Sequence, residues 1–403
     1  MSQDPIAPLT QIPAYLQTIA DYEMEAKKHL SSMVWDYLQG GSMDEVSVRD
    51  NLQQFQDIQL LPRMLKDLSQ GSTEIEIFGQ KFPHPIFLAP IGHQQQFHPE
   101  AETASALAAE VMGSNIILST FTNTDMRTLK QDNPRKWFQL YWQGDREKSL
   151  ALVKMAEAHH YTALVITVDS PHTGIRDRER RAFFHLPKDM QHPHTPAHIP
   201  LPELKEGDHP VFHGLMKIAP TWEDIAWMVK QTYLPVILKG IVHPQDAQLA
   251  IQHGVKGLII SNHGGRVLDT CISPLIALQL IKKVVPADFP LLYDGGIRRG
   301  SDIFKAIALG ASAVLIGRPY IYGLATAGAL GVAHVIKILK EEFEITMALM
   351  GTATVAEIQP GCVLKIFIAI FFSILFNDCH WWLSQNRQRR GDDFKLAWLF
   401  TNG

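Results

Sequence analysis

Eight short apolar segments, separated by amphipathic stretches, constrain the fold of this chain more than any other feature. Each is five to seven residues long, rich in Ile, Leu, Val or Phe, and most are bounded by Gly, Pro or a polar residue. They are 85–90, 115–119, 137–141, 163–169, 235–239, 257–261, 290–294 and 313–317. Near-continuous apolarity without alternation is typical of parallel strands buried on both faces. We therefore predict eight buried, parallel strands.

The stretches between these segments have the pattern of helices. Periodicity and helix-start signals predict helices over 100–112, 146–160, 222–231, 244–253, 274–285 and 301–309. Eight strands with helices between them predict an α/β fold of the (β/α)8 TIM-barrel type. An open doubly wound sheet is the alternative, but no G-x-G-x-x-G follows an early strand.

Three regions lie outside this repeat. Residues 10–80 have the pattern of a helical segment followed by a strand at 74–78, and we expect them to cover the floor of the barrel. The connection after the fourth strand is the longest, and 185–213 within it is crowded with prolines and six histidines. Irregular histidine spacing without cysteines favours a mobile loop over the barrel mouth, with a metal site as the alternative.

The composition changes after residue 358, so we predict a barrel domain over 1–358 and an atypical tail over 359–403. The tail has an apolar run, 362–376, and a charged run, 386–393. The apolar run is short for a membrane-spanning helix. A membrane-surface contact, a packed tail, a lineage-specific extension and an altered reading frame remain alternatives.

Composition excludes several classes of protein. A net charge of -4 gives no reason to expect a nucleic-acid partner. The 3 cysteines form no C-x-x-C pair, which argues against a disulfide framework or structural zinc and fits a reducing compartment. We see no secretory signal pattern and expect a cytoplasmic protein.

The carboxyl ends of the predicted strands concentrate polar, charged and glycine residues. In a (β/α)8 barrel these ends share one mouth, where the active sites of such enzymes lie. The glycines and arginines of 294–300 and 317–318 follow the last two strands and predict a phosphate site for a phosphorylated cofactor. A second group comprises Tyr37, Tyr141, Asp169, Arg176, His263 and Arg266.

The second group combines a base with two guanidinium groups. Arg176 and Arg266 offer forked donors for a carboxylate, and Asp169 can orient the imidazole of His263. These groups suit proton abstraction beside a carboxylate. Arg176 lies in a run of charges, 176–181, so a solvated surface turn is its alternative interpretation.

The chain resembles the FMN-dependent α-hydroxy-acid oxidising family, which includes glycolate oxidase, lactate oxidase and flavin-linked lactate and mandelate dehydrogenases. The resemblance runs from about residue 13 to residue 358. Its motifs are SNHGGRVLD at 261–269, LKGI at 238–241, ITVDSP at 166–171 followed by Arg176, FQLY at 138–141, and DGGIRRGSDIFKAIALGA at 294–311 with LIGRP at 315–319.

The resemblance implies a role for each matching residue. His263 resembles the active-site base and Asp169 its carboxylate partner. Arg176 and Arg266, aided by Tyr37, resemble the substrate-carboxylate clamp, and Tyr141 the residue that contacts the substrate oxygen. Lys239 resembles the lysine that stabilises negative charge on the reduced flavin. The implied FMN-binding residues are Pro90, Ile91, Gly92, Ser119, Gln139, Thr167, Lys239, Ser261, Asp294, Gly295, Gly296, Arg298, Gly317 and Arg318.

Three positions depart from the pattern of the plant glycolate oxidases or of the oxidases generally. Phe121 stands in place of a tryptophan and Thr173 in place of a larger aliphatic residue, both facing the substrate side chain in the family. Gly92 occupies a site that is often alanine in oxidases, which bears on the electron acceptor.

The resemblance implies oxidation of a small L-2-hydroxy acid, such as lactate or glycolate, to the 2-oxo acid. It implies FMN as cofactor, O2 as acceptor and a homotetramer. A quinone- or cytochrome-linked dehydrogenase, a flavin-barrel isomerase and a non-catalytic FMN-binding barrel are the alternatives.

Overall fold

The eight predicted strands form a closed parallel barrel, which confirms the predicted fold class. The computed structural model describes residues 4–129, 135–171, 173–195 and 201–365. The strands are β1 (Ile86–Leu88), β2 (Asn115–Ser119), β3 (Lys136–Leu140), β4 (Leu164–Thr167), β5 (Val236–Lys239), β6 (Gly257–Ile260), β7 (Leu291–Asp294) and β8 (Ala313–Ile316). β8 pairs with β1 and closes the barrel.

The inner face of the barrel explains why polar residues gather at the mouth. Its core is formed by Phe87, Ile117, Trp137, Val165, Ile237, Ile259, Leu292 and Leu315. Successive side chains of a strand point to opposite faces, so the residue two positions later points inward again. One of those eight positions holds Ala89, and the other seven hold Ser119, Gln139, Thr167, Lys239, Ser261, Asp294 and Gly317. The strand period therefore aims the predicted site residues into the mouth.

Helices cover the outside of the barrel, and all six predicted helices are present. They are Ala101–Met112, Arg146–Ala158, Trp222–Gln231, Pro244–Gln252, Pro274–Lys282 and Gly300–Ala308. The connection after β4 also contains Asp177–Arg181, Pro210–Leu215 and Met216–Ile218. Of the predicted mobile loop, residues 196–200 lie outside the described part, and its mobility stays a prediction.

One long helical stretch, Arg318–Met350, was not predicted; its backbone is non-helical at Ala327 and Gly328, where two helices meet at a kink. It packs against Ile19–His29, Ala101–Met112 and Gly300–Ala308. Because several elements cover it, it is apolar on most sides and lacks the one-sided periodicity by which a surface helix is recognised. Within the described residues it is the one helix long and apolar enough to cross a membrane, and most of that stretch is buried in the protein.

The prediction that residues 10–80 cover the barrel floor is wrong for the helices and correct for the strand. A hairpin of Ile75–Ile77 and Gln80–Phe82 closes the floor, where Phe78 and Phe82 pack against the inner core. The helices Ser32–Gln39 and Val46–Gln56 lie at the mouth instead.

Glycines at the mouth leave the room that these helices occupy. A Cβ at Gly296 would lie 2.1 Å from the carbonyl oxygen of Asn51, and one at Gly265 would lie 2.7 Å from the nitrogen of Val48. Side chains at either position would push the helix Val46–Gln56 away from the barrel.

The segment just beyond the predicted domain boundary at residue 358 is still part of the fold. Val363–Lys365 forms an antiparallel pair with Ile58–Leu60. Residues 366–403, which carry most of the predicted atypical tail, lie outside the described part, so the predictions made for them are not addressed by the structure.

Candidate active site

The segment 261–269, which follows β6, organises the mouth. The Ser261 hydroxyl donates to Asp294 Oδ2 at 2.6 Å and accepts from Lys239 Nζ at 3.1 Å and from the backbone N–H of His263 at 3.0 Å. Lys239 also pairs directly with Asp294 at 3.0 Å. One buried hydroxyl thus ties together side chains from β5, β6 and β7.

The Lys239 ammonium is buried but keeps its charge. Burial opposes the charged form, but Asp294 and Asp169 outweigh it and raise the pKa of Lys239 above its ordinary value. The mouth therefore contains a fixed positive charge beside the inner face of the barrel.

His263 is held between a carboxylate and a phenol. Its Nδ1 lies 2.8 Å from Asp169 Oδ1, and its Nε2 lies 3.3 Å from the Tyr141 hydroxyl. The ionised carboxylate can only accept a hydrogen bond, so Nδ1 carries the proton and Nε2 carries the lone pair. His263 has a φ of 58°, a left-handed conformation that turns its ring into the mouth.

The pKa shifts of His263 and Asp169 favour a neutral imidazole, the form that can act as a base. Burial lowers the pKa of His263 below its ordinary value and outweighs the opposing effect of Asp169. Burial raises the pKa of Asp169, but His263 and Lys239 outweigh it, so the net shift is downward. A neutral imidazole beside an ionised carboxylate results, an arrangement in which the carboxylate would stabilise an imidazolium if Nε2 took up a proton.

The two predicted arginines meet on the other side of the mouth. Arg266 donates through Nη1 to the carbonyls of Tyr37 and Gly40, both at 2.7 Å, and its guanidinium lies 4.9 Å from the centre of the Tyr37 ring. The Arg176 Nε donates to the carbonyl of Arg266 at 3.1 Å. Arg176 is therefore part of the site rather than of a solvated turn.

A third charged residue, Glu179, joins this pair and was missed by the sequence analysis. Its Oε1 accepts from Arg266 Nη2 at 2.9 Å and from Arg176 Nη1 at 3.2 Å. The sequence spacing of Arg176 and Glu179 could have indicated this contact, because residues three apart share one face of a helix.

Most of these groups line one cavity of about 1360 Å³; Asp169 and Ser261 lie behind His263, Lys239 and Asp294, which they contact. The predicted side-chain determinants Phe121 and Thr173 line it too, together with His93, Phe184, Met190, His192, Leu201 and Leu215. The Phe121 ring lies 5.6 Å from that of His93 and 5.2 Å from that of Tyr141. A Cβ at Gly92 would lie 2.9 Å from Phe121, so Gly92 lets the Phe121 loop approach β1.

Buried polar atoms at the inner end of the cavity could form hydrogen bonds with a flavin ring. Gln139 accepts from the Ser119 hydroxyl at 3.1 Å. The Gln139 Nε2 and the Thr167 Oγ1 are buried and have no hydrogen-bond partner within the described residues. Buried polar groups are normally hydrogen-bonded, so these two atoms indicate a missing polar ligand. Pro90, Ile91 and Gly92 line the same space.

A smaller cavity of about 50 Å³ adjoins the first and contains the predicted phosphate-binding residues. It is lined by Gly264, Asp294, Gly295, Gly296, Ile297, Arg298, Leu315, Ile316, Gly317 and Arg318. The positive φ values of Gly295 and Gly296, 136° and 76°, turn the backbone in a way that favours glycine. A glycine cradle with two arginines fits a phosphate.

Arg318 has a second role that the sequence did not reveal. It donates to the carbonyls of Leu38 at 2.9 Å, Gly40 at 2.9 Å and Gly264 at 3.1 Å. Burial lowers the pKa of Arg318 to about 10, so it remains protonated at neutral pH. Arg318 therefore holds the helix Ser32–Gln39 at the mouth as well as lining the smaller cavity.

Two other residues of the segment 261–269, Asn262 and Asp269, have structural roles. Asn262 and Asn51 exchange reciprocal amide hydrogen bonds at 2.8 and 2.9 Å. Asp269 accepts from the backbone N–H groups of Val46 and Ser47, which begin the helix Val46–Gln56. The motif thus docks the N-terminal helices as well as carrying His263 and Arg266.

Comparisons with known proteins agree with this arrangement. An L-lactate oxidase of Roseobacter sp. (strain GAI101) is 44% identical over 349 residues, which cover 85% of this chain and 93% of that protein. A glycolate oxidase of Spinacia oleracea is 36% identical, over 85% of this chain and 94% of that protein. A crystal structure of mandelate oxidase with (S)-2-phenylpropionate has a TM-score of 0.78 and 37% identity, over 85% of this chain and 97% of that one.

The family model described as FMN-dependent dehydrogenase matches residues 26–365, which include both strands of the Ile58–Leu60 and Val363–Lys365 pair. The match therefore covers the whole barrel, the mouth and the residues that fit the flavin. This chain belongs to the FMN-dependent dehydrogenase family.

Proposed function

We propose that this chain oxidises a small L-2-hydroxy acid, of lactate or glycolate size, to the 2-oxo acid with O2 as electron acceptor. One observation carries the proposal: the His263 base and the Arg176–Arg266 pair face the same cavity, beside the atoms that fit the flavin ring. The relatives named lactate oxidase and glycolate oxidase support the substrate class and the acceptor.

Each residue of the site has a distinct role in the proposed reaction. Arg176 and Arg266 bind the substrate carboxylate and thereby fix the position of the α-carbon, which lowers the entropic part of the barrier. Tyr141 donates to the substrate oxygen. The Nε2 of His263 accepts one of the two protons that the substrate loses, and Asp169 stabilises the resulting imidazolium.

Gln139, Thr167, Ser119 and Lys239 would hold FMN at its ring, and the glycine cradle would hold its phosphate. When bound, FMN accepts the two electrons that leave the substrate. The fixed charge of Lys239 stabilises negative charge that develops beside it. A flavin-barrel isomerase is disfavoured because two arginines and a base suit a carboxylate with an α-hydrogen.

Anaerobic reduction of the bound flavin tests the proposal directly. We expect L-lactate or glycolate to bleach the flavin absorbance and readmitted air to restore it. Mandelate and longer 2-hydroxy acids form the comparison series, and a quinone or cytochrome replaces air in a parallel experiment. Flavin that no 2-hydroxy acid reduces would contradict the proposed reaction, and reoxidation by quinone alone would contradict O2 as acceptor.

The pH dependence of kcat/KM follows from the neutral resting state of His263. Burial places the pKa of His263 below its ordinary value of 6.5, so the base is active above that pKa and becomes protonated as the pH falls through it. We expect kcat/KM to be level near neutral pH and to decline on the acid side, below pH 6.5.

The Asp169→Asn variant provides the control for this profile. Asp169 raises the pKa of His263, so its neutralisation shifts the acid limb to still lower pH. An acid limb centred above 6.5 in the unaltered protein would contradict the lowered pKa of His263. The predicted homotetramer and cytoplasmic location stay predictions.

A further inference from the structure

Glu179 lies within the substrate-carboxylate site, and the reaction described above does not use it. Its side chain lines the main cavity and is 13% exposed. Its carboxylate contacts Arg266 Nη2 at 2.9 Å and Arg176 Nη1 at 3.2 Å. A negative group of the protein therefore contacts both guanidinium groups that bind the substrate carboxylate.

We propose that Glu179 sets the charge of this site so that it accepts monocarboxylic 2-hydroxy acids and rejects dicarboxylic ones. The inference rests on the proposed function, because it takes Arg176 and Arg266 as the carboxylate ligands. The two guanidinium groups carry two positive charges, and Glu179 cancels one of them. A monocarboxylate neutralises the remainder, whereas a dicarboxylate introduces a second negative charge without a partner, which is unfavourable away from water.

The protein already engages most of the guanidinium donors beside Glu179. Arg266 Nη1 is held by the carbonyls of Tyr37 and Gly40, and Arg176 Nε by the carbonyl of Arg266. Within the described residues, no hydrogen bond engages Arg176 Nη2 or Arg266 Nε. Glu179 and the carbonyls thus engage four of the six guanidinium nitrogens and leave one nitrogen of each arginine for an anion, which suits one carboxylate better than two.

Other cations near the cavity do not replace the cancelled charge. Lys239 is paired with Asp294 at 3.0 Å, and Arg318 lines the predicted phosphate site. Arg180 lines the cavity but is 67% exposed, and it pairs with Asp177 at 3.7 Å. Lys188 also lines it and is exposed. Exposed charges are screened by water and salt, so the buried arginines and Glu179 dominate the selection between one and two carboxylates.

The Glu179→Gln variant removes the charge and keeps a hydrogen-bond acceptor. The extra positive charge attracts a dianion about twice as strongly as a monoanion. We therefore expect the ratio of kcat/KM for L-malate to that for L-lactate to rise about tenfold. Glu179→Asp keeps the charge and should leave this ratio near that of the unaltered enzyme.

Asp177→Asn is the matched control, since it makes the same change of charge on the same short helix. Asp177 pairs with Arg180 and has no described contact with Arg176 or Arg266, so we expect an unchanged ratio. A rise in Asp177→Asn equal to that in Glu179→Gln would assign the effect to overall charge and overturn the role of Glu179.

Binding of unreactive acids separates this inference from the reaction itself. Calorimetric Kd values for propionate and succinate, which lack the hydroxyl group, are measured on the flavin-loaded protein. Glu179→Gln should strengthen succinate binding relative to propionate by about the same tenfold factor. Equal Kd and kcat/KM ratios in the variant and the unaltered enzyme would overturn the inference. If the unaltered enzyme oxidises no 2-hydroxy acid, the proposed function fails, and the Kd ratio still decides the role of Glu179.

Discussion

Replacing His263 with Gln is expected to slow flavin reduction by the 2-hydroxy acid about 1000-fold while leaving the flavin bound, since a general base contributes roughly 10²- to 10⁴-fold. Glutamine can still donate to Asp169, so the local hydrogen bonding is retained. It has no basic lone pair at the position of Nε2, so the substrate proton has no acceptor. Anaerobic stopped-flow absorbance of the flavin measures the effect.

A histidine outside the mouth supplies the control for this variant. His253 stacks on Trp222 with ring centroids 5.6 Å apart, at the end of the outer helix Pro244–Gln252, and does not line the main cavity. His253→Gln should reduce its flavin at the unaltered rate. Equal reduction rates in His263→Gln and the unaltered enzyme would remove His263 from the reaction.

Replacing Arg266 with Lys is expected to lower kcat/KM about 100-fold, which corresponds to about 2.7 kcal/mol. Arg266 contacts two backbone carbonyls through Nη1 and Glu179 through Nη2, and it keeps Nε for the substrate. A lysine ammonium donates from one nitrogen and cannot satisfy both sides of a planar fork. The loss should fall mainly on KM, because the carboxylate is bound before and during the reaction.

An Arg→Lys substitution at the surface tests whether the loss of any guanidinium group lowers kcat/KM. Arg146 pairs with Asp224 at 2.8 Å on the outer helices and is 44% exposed. Arg146→Lys should leave kcat/KM unchanged, because exposed pairs contribute little. If Arg266→Lys behaves like Arg146→Lys, the substrate carboxylate binds elsewhere in the cavity.

The strands were predictable from the sequence because a parallel barrel buries both faces of each strand. That burial demands continuous apolar runs, and it leaves the strand ends as the main places where polar residues are tolerated. His263, Asp169, Lys239 and Asp294 could therefore be assigned to one mouth before any coordinates were known. Their convergence in the structure follows from the strand period and from barrel closure.

Other features could not be predicted, because they depend on what packs against them. The helix Arg318–Met350 has little one-sided periodicity, since neighbours cover most of it. The helices Ser32–Gln39 and Val46–Gln56 were placed at the wrong end of the barrel. Their position is set by contacts to glycines and to Arg318, and such contacts leave no periodic pattern in the sequence.

The sequence alone determined the barrel, the reacting groups and the family to which they belong. The sequence also predicted that His263 pairs with Asp169, 94 residues away, and the structure shows this contact. Only the tertiary structure decided the other contacts, such as that of Arg266 with a carbonyl 229 residues away. It also placed Glu179 between the two arginines, where a run of charges had suggested a solvated turn. The physical reason is that a buried strand is recognisable from a few consecutive residues of the sequence. A charged group, in contrast, interacts with any group that the fold brings within a few ångströms of it, however distant that group is along the chain.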